Sequence, residues 1–254
     1  LIGIYMFFKY LENHKFLAFS HRGGALENKE NTIEAFQKSI EIGYQYIETD
    51  VQCTKDDKLI IFHDNDLLRI NNQNIKISEI SFDDLKKITI FDNQIIPLFD
   101  DVVNNFSKIN FNIDPKTDKA AILLRDKLIK RNDLERFCVG SHYQKRINLF
   151  RLEKLSQIAT SMSRQEVLKL FINQYFNIFD LKTPCVQVPI SFKGITIVNK
   201  KFVNLVHEQN KKIHVWTVDT QDQMQLLIDL GVDGIMTDRP SLLKDTLIKN
   251  NLWI

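Results

Sequence analysis

The chain has 254 residues, with 34 basic and 32 acidic side chains and a formal net charge of +2. Because the basic residues are scattered and do not form one strip, the sequence argues against a nucleic-acid-binding protein. Hydrophobic residues make up 44% and charged residues 26% of the chain, which argues against a disordered or membrane-embedded protein. We expect a single domain over residues 1–254, because single domains commonly reach about 250 residues.

The three cysteines do not indicate a disulfide framework or a structural zinc site. Cys53, Cys138 and Cys185 are far apart in the sequence and show no Cys-x-x-Cys spacing. We therefore expect them to be buried thiols.

The N-terminal stretch is apolar. Residues 1–11 are too few to span a bilayer, and no small-residue cleavage site typical of a secretory signal follows them. We expect a cytoplasmic protein without stable membrane insertion, although the apolar N-terminus leaves secretion or membrane association open. Residues 1–15 are expected to be a leader or an N-terminal extension. Because Met6 lies just downstream of the first residue, residues 1–5 fit a truncated leader or a misplaced start.

Short β-type runs alternate with helical patterns along the whole chain. The first run, residues 16–20, precedes a helical pattern. Asn31 can cap this helix, Glu34 three residues later can reach back to the cap, and Gly43 is suited to end it. Further strands are predicted at 46–52, 58–63, 109–113, 136–140, 158–162, 185–190, 213–218 and 234–237.

Strands that alternate with helices predict an α/β fold with a parallel sheet. About eight such units in a chain of this length predict a closed (β/α)8 TIM barrel. The first strand–helix turn lacks G-x-G-x-x-G, which argues against an open doubly wound sheet. Residues 65–108 are rich in Asn, Asp and Lys and show no clear inward-facing strand, so we expect a small insertion at the barrel mouth.

Imidazole and carboxylate side chains fall at the ends of predicted strands. Active sites of TIM barrels lie at the C-terminal ends of the strands, so these residues are expected to line one mouth. They are His21, Glu48, Asp50, His63 and Asp114. Glu48 and Asp50 are two residues apart on a strand, so their side chains leave the same face.

The residue types predict the chemistry of the site. Three carboxylates without Cys or paired His at ligand spacing suit one hard divalent cation, Mg²⁺ or Ca²⁺. Arg22 and Lys116 would neutralise a phosphate beside such an ion. The two histidines then have complementary roles, because one can deprotonate the attacking hydroxyl while the other protonates the leaving oxygen. The sequence does not show which is the acid and which is the base.

The same residues belong to motifs of a known family. They occur in HRGGALENKENT at 21–32, IETDVQCT at 47–54, IFHD at 61–64 and FNIDPK at 111–116. Together with the run VWTVDTQDQMQLLIDLGVDGIMTDRP at 215–240, they make the chain resemble the glycerophosphodiester phosphodiesterase family from residue 16 to residue 247. Two positions depart from the family pattern: Lys29 replaces a proline, and Asp114 stands where most members have Glu.

The resemblance implies a role for each motif residue. His21 and His63 would be the general acid/base pair, Glu48, Asp50 and Asp114 the metal ligands, and Arg22 and Lys116 the phosphate contacts. Glu30 would support the substrate site, or it would only be a first-turn acid favoured by the helix dipole. Trp216 would form the floor of a glycerol pocket or pack in the core.

Three functions remain in view. The first is metal-dependent hydrolysis of glycerophosphodiesters to sn-glycerol 3-phosphate and an alcohol. The second is lysophospholipase D-like cleavage of lysophospholipids, which the apolar N-terminus and the loop at 192–195 make conceivable. The third is a catalytically silent phosphodiester-binding module, against which the presence of both histidines argues. His142 is expected to have a packing or surface role, and Asp219 and Asp238 are expected to be strand-end and turn residues.

Overall fold

The computed structural model describes residues 8–12, 14–91, 93–176 and 178–253. The strands are β1 (Leu17–His21), β2 (Tyr46–Cys53), β3 (Leu59–Ile61), β4 (Asn110–Pro115), β5 (Phe137–Val139), β6 (Ala159–Thr160), β7 (Cys185–Val188), β8 (Ser191–Phe192), β9 (Ile195–Thr196), β10 (Lys212–Val215) and β11 (Gly234–Thr237). The helices are α1 (Lys9–Glu12), α2 (Ile33–Glu41), α3 (Leu68–Asn71), α4 (Phe82–Leu85), α5 (Phe99–Asn105), α6 (Asp118–Leu128), α7 (Gln144–Asn148), α8 (Arg164–Phe176), α9 (Lys200–Glu208), α10 (Gln221–Leu230) and α11 (Pro240–Lys249).

Eight parallel strands form a barrel in the order β6-β5-β4-β2-β1-β11-β10-β7. A parallel bridge between Ser161 and Cys185 joins the two ends of this order. Apolar clusters fill the space between the strands and the outer helices. The predicted TIM barrel is therefore confirmed.

The strand predicted at 58–63 has a different place from the one expected. It is present as β3, but it pairs antiparallel with β2, with Val51 opposite Ile61, and it is not one of the eight barrel strands. The physical reason is a tight turn after β2, in which Thr54 and Lys58 are hydrogen-bonded and Asp57 has a positive φ of 62°. This turn reverses the chain before a crossover helix can form.

The N-terminal cap of α2 is Thr32, and the prediction of Asn31 was wrong. The Thr32 hydroxyl accepts a hydrogen bond from the backbone N–H of Ala35 at 3.1 Å. Asn31 has a left-handed φ of 56°, and its side chain turns instead towards β2. The helix ends as expected near Gly43, which has a positive φ of 101°.

A third apolar cluster fills the barrel interior at the N-terminal end of the strands. Phe8, Tyr10 and Leu11 belong to it and are buried. The backbone carbonyl of Tyr10 accepts a hydrogen bond from the Tyr46 hydroxyl at 2.9 Å, and the two rings meet edge to face. The described part of the predicted N-terminal extension thus packs as part of the fold. The possible leader at residues 1–5 lies outside the described residues.

The segment 65–108 contains two different kinds of structure. Helices α3 and α4 surround a small apolar cluster of their own, to which Leu67, Ile77 and Leu85 belong. Helix α5 packs instead against the apolar cluster that surrounds the barrel. In the part of the chain that the structure describes, no helix has the length and apolar character needed to cross a bilayer.

Candidate active site

A cavity of about 230 Å³ opens at the C-terminal ends of the barrel strands. It is lined by His21, Arg22, Glu48, Asp50, His63, Asn112, Asp114, Lys116, Gly140, Ser141, His142, Ser161, Met162, Gln187, Trp216, Thr217 and Met236. Of the predicted site residues, only Glu30 is not on the cavity wall. Its carboxylate lies behind the wall and contacts the guanidinium of Arg22 at 3.2 Å.

Sheet register explains why residues from distant parts of the sequence converge. Strands β1, β2 and β4 are neighbours in the barrel, and His21 lies opposite Glu48 in their register. Asp50 likewise lies opposite Asp114. The two predicted carboxylates of β2 thus each face a predicted site residue on an adjacent strand.

The loop after β1 depends on two glycines. Gly23 and Gly24 both have positive φ, of 81° and 86°. A Cβ at Gly23 would lie 2.7 Å from the Cβ of Ala35, and one at Gly24 would lie 2.6 Å from the ring of Pro240. The loop can therefore pack closely against α2 and α11 while His21 and Arg22 face the cavity.

His21 is held by carboxylates on both sides of its ring. Its Nδ1 lies 2.7 Å from Oδ1 of Asp238, and its Nε2 lies 3.6 Å from Oε2 of Glu48. Burial opposes the charged imidazolium, but Glu48 and Asp238 outweigh burial and raise the pKa of His21. Asp238 was not among the predicted site residues.

His63 has a similar arrangement at its own Nδ1. That atom lies 2.6 Å from Oδ1 of the adjacent residue Asp64. Asp64 in turn accepts a hydrogen bond from Nε of Arg69 at 2.7 Å. If each aspartate accepts the Nδ1 proton, Nε2 is the nitrogen that can take up a proton in both neutral imidazoles.

The buried carboxylate of Asp50 is surrounded by cationic groups. Lys116 Nζ lies 2.7 Å from Asp50 Oδ1, and Arg22 Nε lies 3.0 Å from Asp50 Oδ2. Burial disfavours its ionisation, but Lys116 and Arg22 hold the pKa of Asp50 well below its ordinary value. The amide of Asn31 also donates to Asp50 Oδ2 at 3.0 Å, which shows what the Asn of the ENT motif does.

Glu48, Asp50 and Asp114 offer only oxygen donors at the cavity, the ligand type that hard divalent cations prefer. Glu48 is buried, and burial together with the nearby charge of Asp50 raises the pKa of Glu48 to about 7, so added positive charge here would be favourable. The ammonium of Lys116 lies 2.7 Å from both Asp50 and Asp114, so two of the three carboxylates are paired with a positive charge of the chain itself. Within the described ranges, no three acidic, cysteine or histidine side chains lie close enough together, in their present conformations, to bind one metal ion.

The opposite wall of the cavity is uncharged. It is formed by strands β5, β6, β7 and β10 and the residues after them, among them Ser141, Ser161, Gln187 and Trp216. Gln187 donates to the Asn112 side chain at 2.8 Å. The ring of His142 lies 5.8 Å from the ring of Trp216, and burial, with Arg164, lowers the pKa of His142.

Among the described residues, sequence reasoning missed four whose side chains form hydrogen bonds or ion pairs with the side chains of predicted site residues. They are Asn31, Asp64, Arg69 and Asp238. Asn31 and Asp64 stand inside the ENT and HD motifs, so their places in the motifs were a usable signal. Asp238 follows a predicted strand directly, but its proximity to His21 depends on closure of the barrel.

Comparison with known proteins gives the same assignment. Residues 21–242 match the model of the glycerophosphoryl diester phosphodiesterase family. A Mycobacterium tuberculosis protein named "Probable glycerophosphodiester phosphodiesterase 2" is 29% identical over 244 residues, covering 93% of this chain and 92% of that protein. The human lysophospholipase D GDPD1 is 26% identical over 268 residues, covering 90% of this chain and 85% of that protein.

A solved structure shows the same fold. The Oleispira antarctica phosphodiesterase in complex with the product sn-glycerol-3-phosphate superimposes with a TM-score of 0.76 at 17% identity, covering 91% of this chain and 96% of that one. At that identity the likeness concerns the fold alone. The match to the family model over most of the chain decides the assignment: this chain belongs to the glycerophosphoryl diester phosphodiesterase family of enzymes.

Proposed function

We propose that the protein hydrolyses glycerophosphodiesters to sn-glycerol 3-phosphate and an alcohol, with one divalent cation as cofactor. The observation that carries the proposal is the pair of imidazoles, His21 and His63, at one cavity that also holds three carboxylates and two cationic side chains. Each imidazole has its Nδ1 beside an aspartate, at 2.7 Å and 2.6 Å. In the proposed complex, one imidazole can therefore act as the acid and the other as the base at the phosphorus atom of one bound substrate.

In this mechanism the Nε2 atoms of the histidines move the protons. One imidazole accepts the proton of the attacking group, which is water or the neighbouring glycerol hydroxyl, and the other gives a proton to the departing alcohol oxygen. Where the glycerol hydroxyl attacks, a cyclic phosphodiester forms, and water then opens it to the monoester with the roles of the two imidazoles exchanged. Asp238 and Asp64 keep the rings oriented by accepting at Nδ1. They also stabilise the imidazolium that forms during the reaction.

Arg22 supplies a contact for the phosphate. Its Nε–H is buried and has no hydrogen-bond acceptor among the described residues, although the Asp50 carboxylate lies 3.0 Å away as an ion pair. Arg22 lines the cavity, so the remaining N–H groups of its guanidinium can donate to a phosphate oxygen. Lys116 adds a second positive charge on the same wall.

Glu48, Asp50 and Asp114 would hold the cation, Mg²⁺ or Ca²⁺. When bound, such an ion supplies positive charge for the phosphate oxygens as negative charge develops in the transition state. The oxygen-only donor set and the raised pKa of Glu48 support this part of the proposal.

The test is turnover of glycerophosphocholine by His21→Ala and His63→Ala variants in Mg²⁺ or Ca²⁺. We expect each variant to lose roughly a thousandfold or more in kcat, because general acid–base catalysis contributes about 10²–10⁴-fold. His207→Ala is the matched control, since His207 is half exposed on α9 and pairs with Asp233 away from the cavity. Full activity of His21→Ala would rule out the mechanism.

A second candidate function is cleavage of lysophospholipids at a membrane surface. The hairpin of β8 and β9 follows β7 at the cavity end of the barrel, and Phe192 and Ile195 are 49% and 70% exposed there. Lys193, between them in sequence, occupies the turn. Comparing turnover of lysophosphatidylethanolamine with that of glycerophosphoethanolamine distinguishes the two functions, and a clear preference for the lipid would favour the second.

A further inference from the structure

The guanidinium of Arg69 joins two carboxylates that come from different parts of the chain. Its Nη1 and Nη2 donate to the two oxygens of Glu30 at 2.9 Å and 2.7 Å, and its Nε donates to Asp64 at 2.7 Å. Arg69 lies on α3, in the segment between β3 and α5. All three guanidinium nitrogens are thus engaged at once, as the planar fork of arginine allows.

Each of these carboxylates also binds a residue of the cavity wall. Glu30 Oε1 accepts from Nη1 of Arg22 at 3.2 Å, and Asp64 Oδ1 lies 2.6 Å from Nδ1 of His63. Arg69 itself does not line the cavity. It therefore reaches the proposed phosphate contact through one carboxylate and one of the two proposed catalytic imidazoles through the other.

Building on the proposed function, we infer that Arg69 is a positioning residue for the reaction. It fixes the distance and orientation of His63 relative to Arg22, so that the imidazole and the guanidinium meet the same phosphodiester. Lysine cannot replace it fully, because one ammonium cannot bind both oxygens of Glu30 and one oxygen of Asp64 with the same geometry. A displacement of about 1 Å in such an arrangement can cost about a hundredfold in rate.

The same contacts contribute little to the stability of the fold. The Arg69 side chain is 49% exposed, and ion pairs at such positions are usually worth about 0–1 kcal/mol. Loss of Arg69 should therefore change kcat without unfolding the protein. This separates a positioning role from a merely structural one.

The test compares Arg69→Gln and Arg69→Lys with wild type in turnover of glycerophosphocholine. We expect Arg69→Gln to lower kcat roughly tenfold or more with a smaller change in KM, and Arg69→Lys to recover only part of the loss. Lys76→Gln is the matched control, because Lys76 pairs with exposed Glu79 in the same segment and contacts no cavity residue. An Arg69→Gln variant within twofold of wild type would overturn the inference.

Double variants test the route through Asp64. If Arg69 acts by holding Asp64 against His63, Arg69→Gln should add little to the loss caused by Asp64→Asn alone. Fully multiplicative losses in the Arg69→Gln/Asp64→Asn double variant would contradict that route. Thermal unfolding of every variant checks that the fold is retained.

One readout does not depend on the substrate. The Nδ1–H proton of His63, hydrogen-bonded to Asp64, should give a downfield proton resonance that is absent in His63→Gln. We expect Arg69→Gln to shift or remove this resonance and Lys76→Gln to leave it unchanged; an unchanged resonance in Arg69→Gln would refute the inference. Wild-type protein that does not turn over glycerophosphodiesters would refute the proposed function instead, and the resonance would still decide the role of Arg69.

Discussion

Asp238 Oδ1 lies 2.7 Å from Nδ1 of His21, although 217 residues separate the two in the sequence. The contact exists because β11 pairs with β1, which places Thr237 opposite Ser20. Asp219 accepts hydrogen bonds from the backbone N–H of Asp238 and from the Thr237 hydroxyl, at 2.7 Å and 3.1 Å. Closure of the barrel thus supplies the carboxylate that orients a proposed catalytic imidazole.

Asp238→Asn should lower kcat by about one hundredfold while the fold is retained. An amide can donate to Nδ1 as well as accept from it, so the tautomer with the proton on Nδ1 of His21 would no longer be enforced. Steady-state kinetics with glycerophosphocholine measures the loss, and Asp245→Asn is the control because Asp245 is an exposed carboxylate of α11. Equal activity of the two variants would mean that Asp238 does not orient His21.

His142→Gln should raise KM several-fold and change kcat little. The ring of His142 lies beside Trp216 on the uncharged wall, and burial lowers its pKa, so it presents a neutral surface to the substrate. Loss of a contact that is equally strong in ground state and transition state appears in KM alone. A fall in kcat comparable to that of His63→Ala would instead give His142 a part in the chemistry.

Glu48→Gln should change how stability depends on pH when chelator is present. Burial and Asp50 raise the pKa of Glu48 from its ordinary value of 4.5 to about 7, so the folded state binds this proton more tightly than the unfolded state. The resulting stabilisation is complete below pH 4.5 and is lost as the pH rises to about 7. The loss is roughly 3 kcal/mol. We therefore expect the melting temperature of Glu48→Gln to rise relative to that of wild type as the pH is raised from 5 to 8.

The same measurement with Mg²⁺ or Ca²⁺ tests the proposed cation. Positive charge near Glu48 offsets the repulsion from Asp50, so the ion should stabilise wild type more at pH 8 than at pH 5. Glu48→Gln should show a smaller gain at either pH. Equal gains for both proteins at pH 8 would show that Glu48 is not a ligand.

Tyr10→Phe should stabilise the protein by roughly 1 kcal/mol or leave its stability unchanged. The Tyr10 hydroxyl is buried in the barrel interior and has no hydrogen-bond partner among the described residues. Removing an unsatisfied hydroxyl while keeping the ring preserves the contact with Tyr46. Thermal unfolding measures the change, and a loss of several degrees would indicate that a water molecule satisfies the hydroxyl.

Local patterns predicted the barrel because each strand end and helix start carries its own signal. The motifs also indicated which side chains line the cavity: eight predicted residues, from His21 to Trp216, do so. The sequence patterns did not show whether a predicted strand pairs parallel or antiparallel with its neighbour. The run at 58–63 has the composition of a barrel strand, yet the turn before it makes β3 an antiparallel partner of β2.

Contacts made across the fold could not be predicted in the same way. The contact of Asp238 with His21 depends on which strands become neighbours when the barrel closes, and the contacts of Arg69 depend on where α3 lies relative to Glu30 and Asp64. Lys116 shows the same limit, since its spacing predicted a phosphate contact but not its position between Asp50 and Asp114. Residue spacing shows which face of one strand a side chain leaves. These contacts instead depend on how two or three strands and helices lie relative to one another.

The charged residues of the cavity come from β1, β2, β4 and the loops after β1, β3 and β4, while the facing wall offers hydroxyls, an amide and aromatic rings. In the proposed mechanism the charged half of the pocket moves the protons, and the uncharged half is left to contact the rest of the substrate. Positions such as Ser141, Ser161 and Gln187 can therefore be varied without replacing any of the groups proposed to move protons. A library confined to that half, screened with several glycerophosphodiesters, tests whether substrate preference can be changed while kcat is kept.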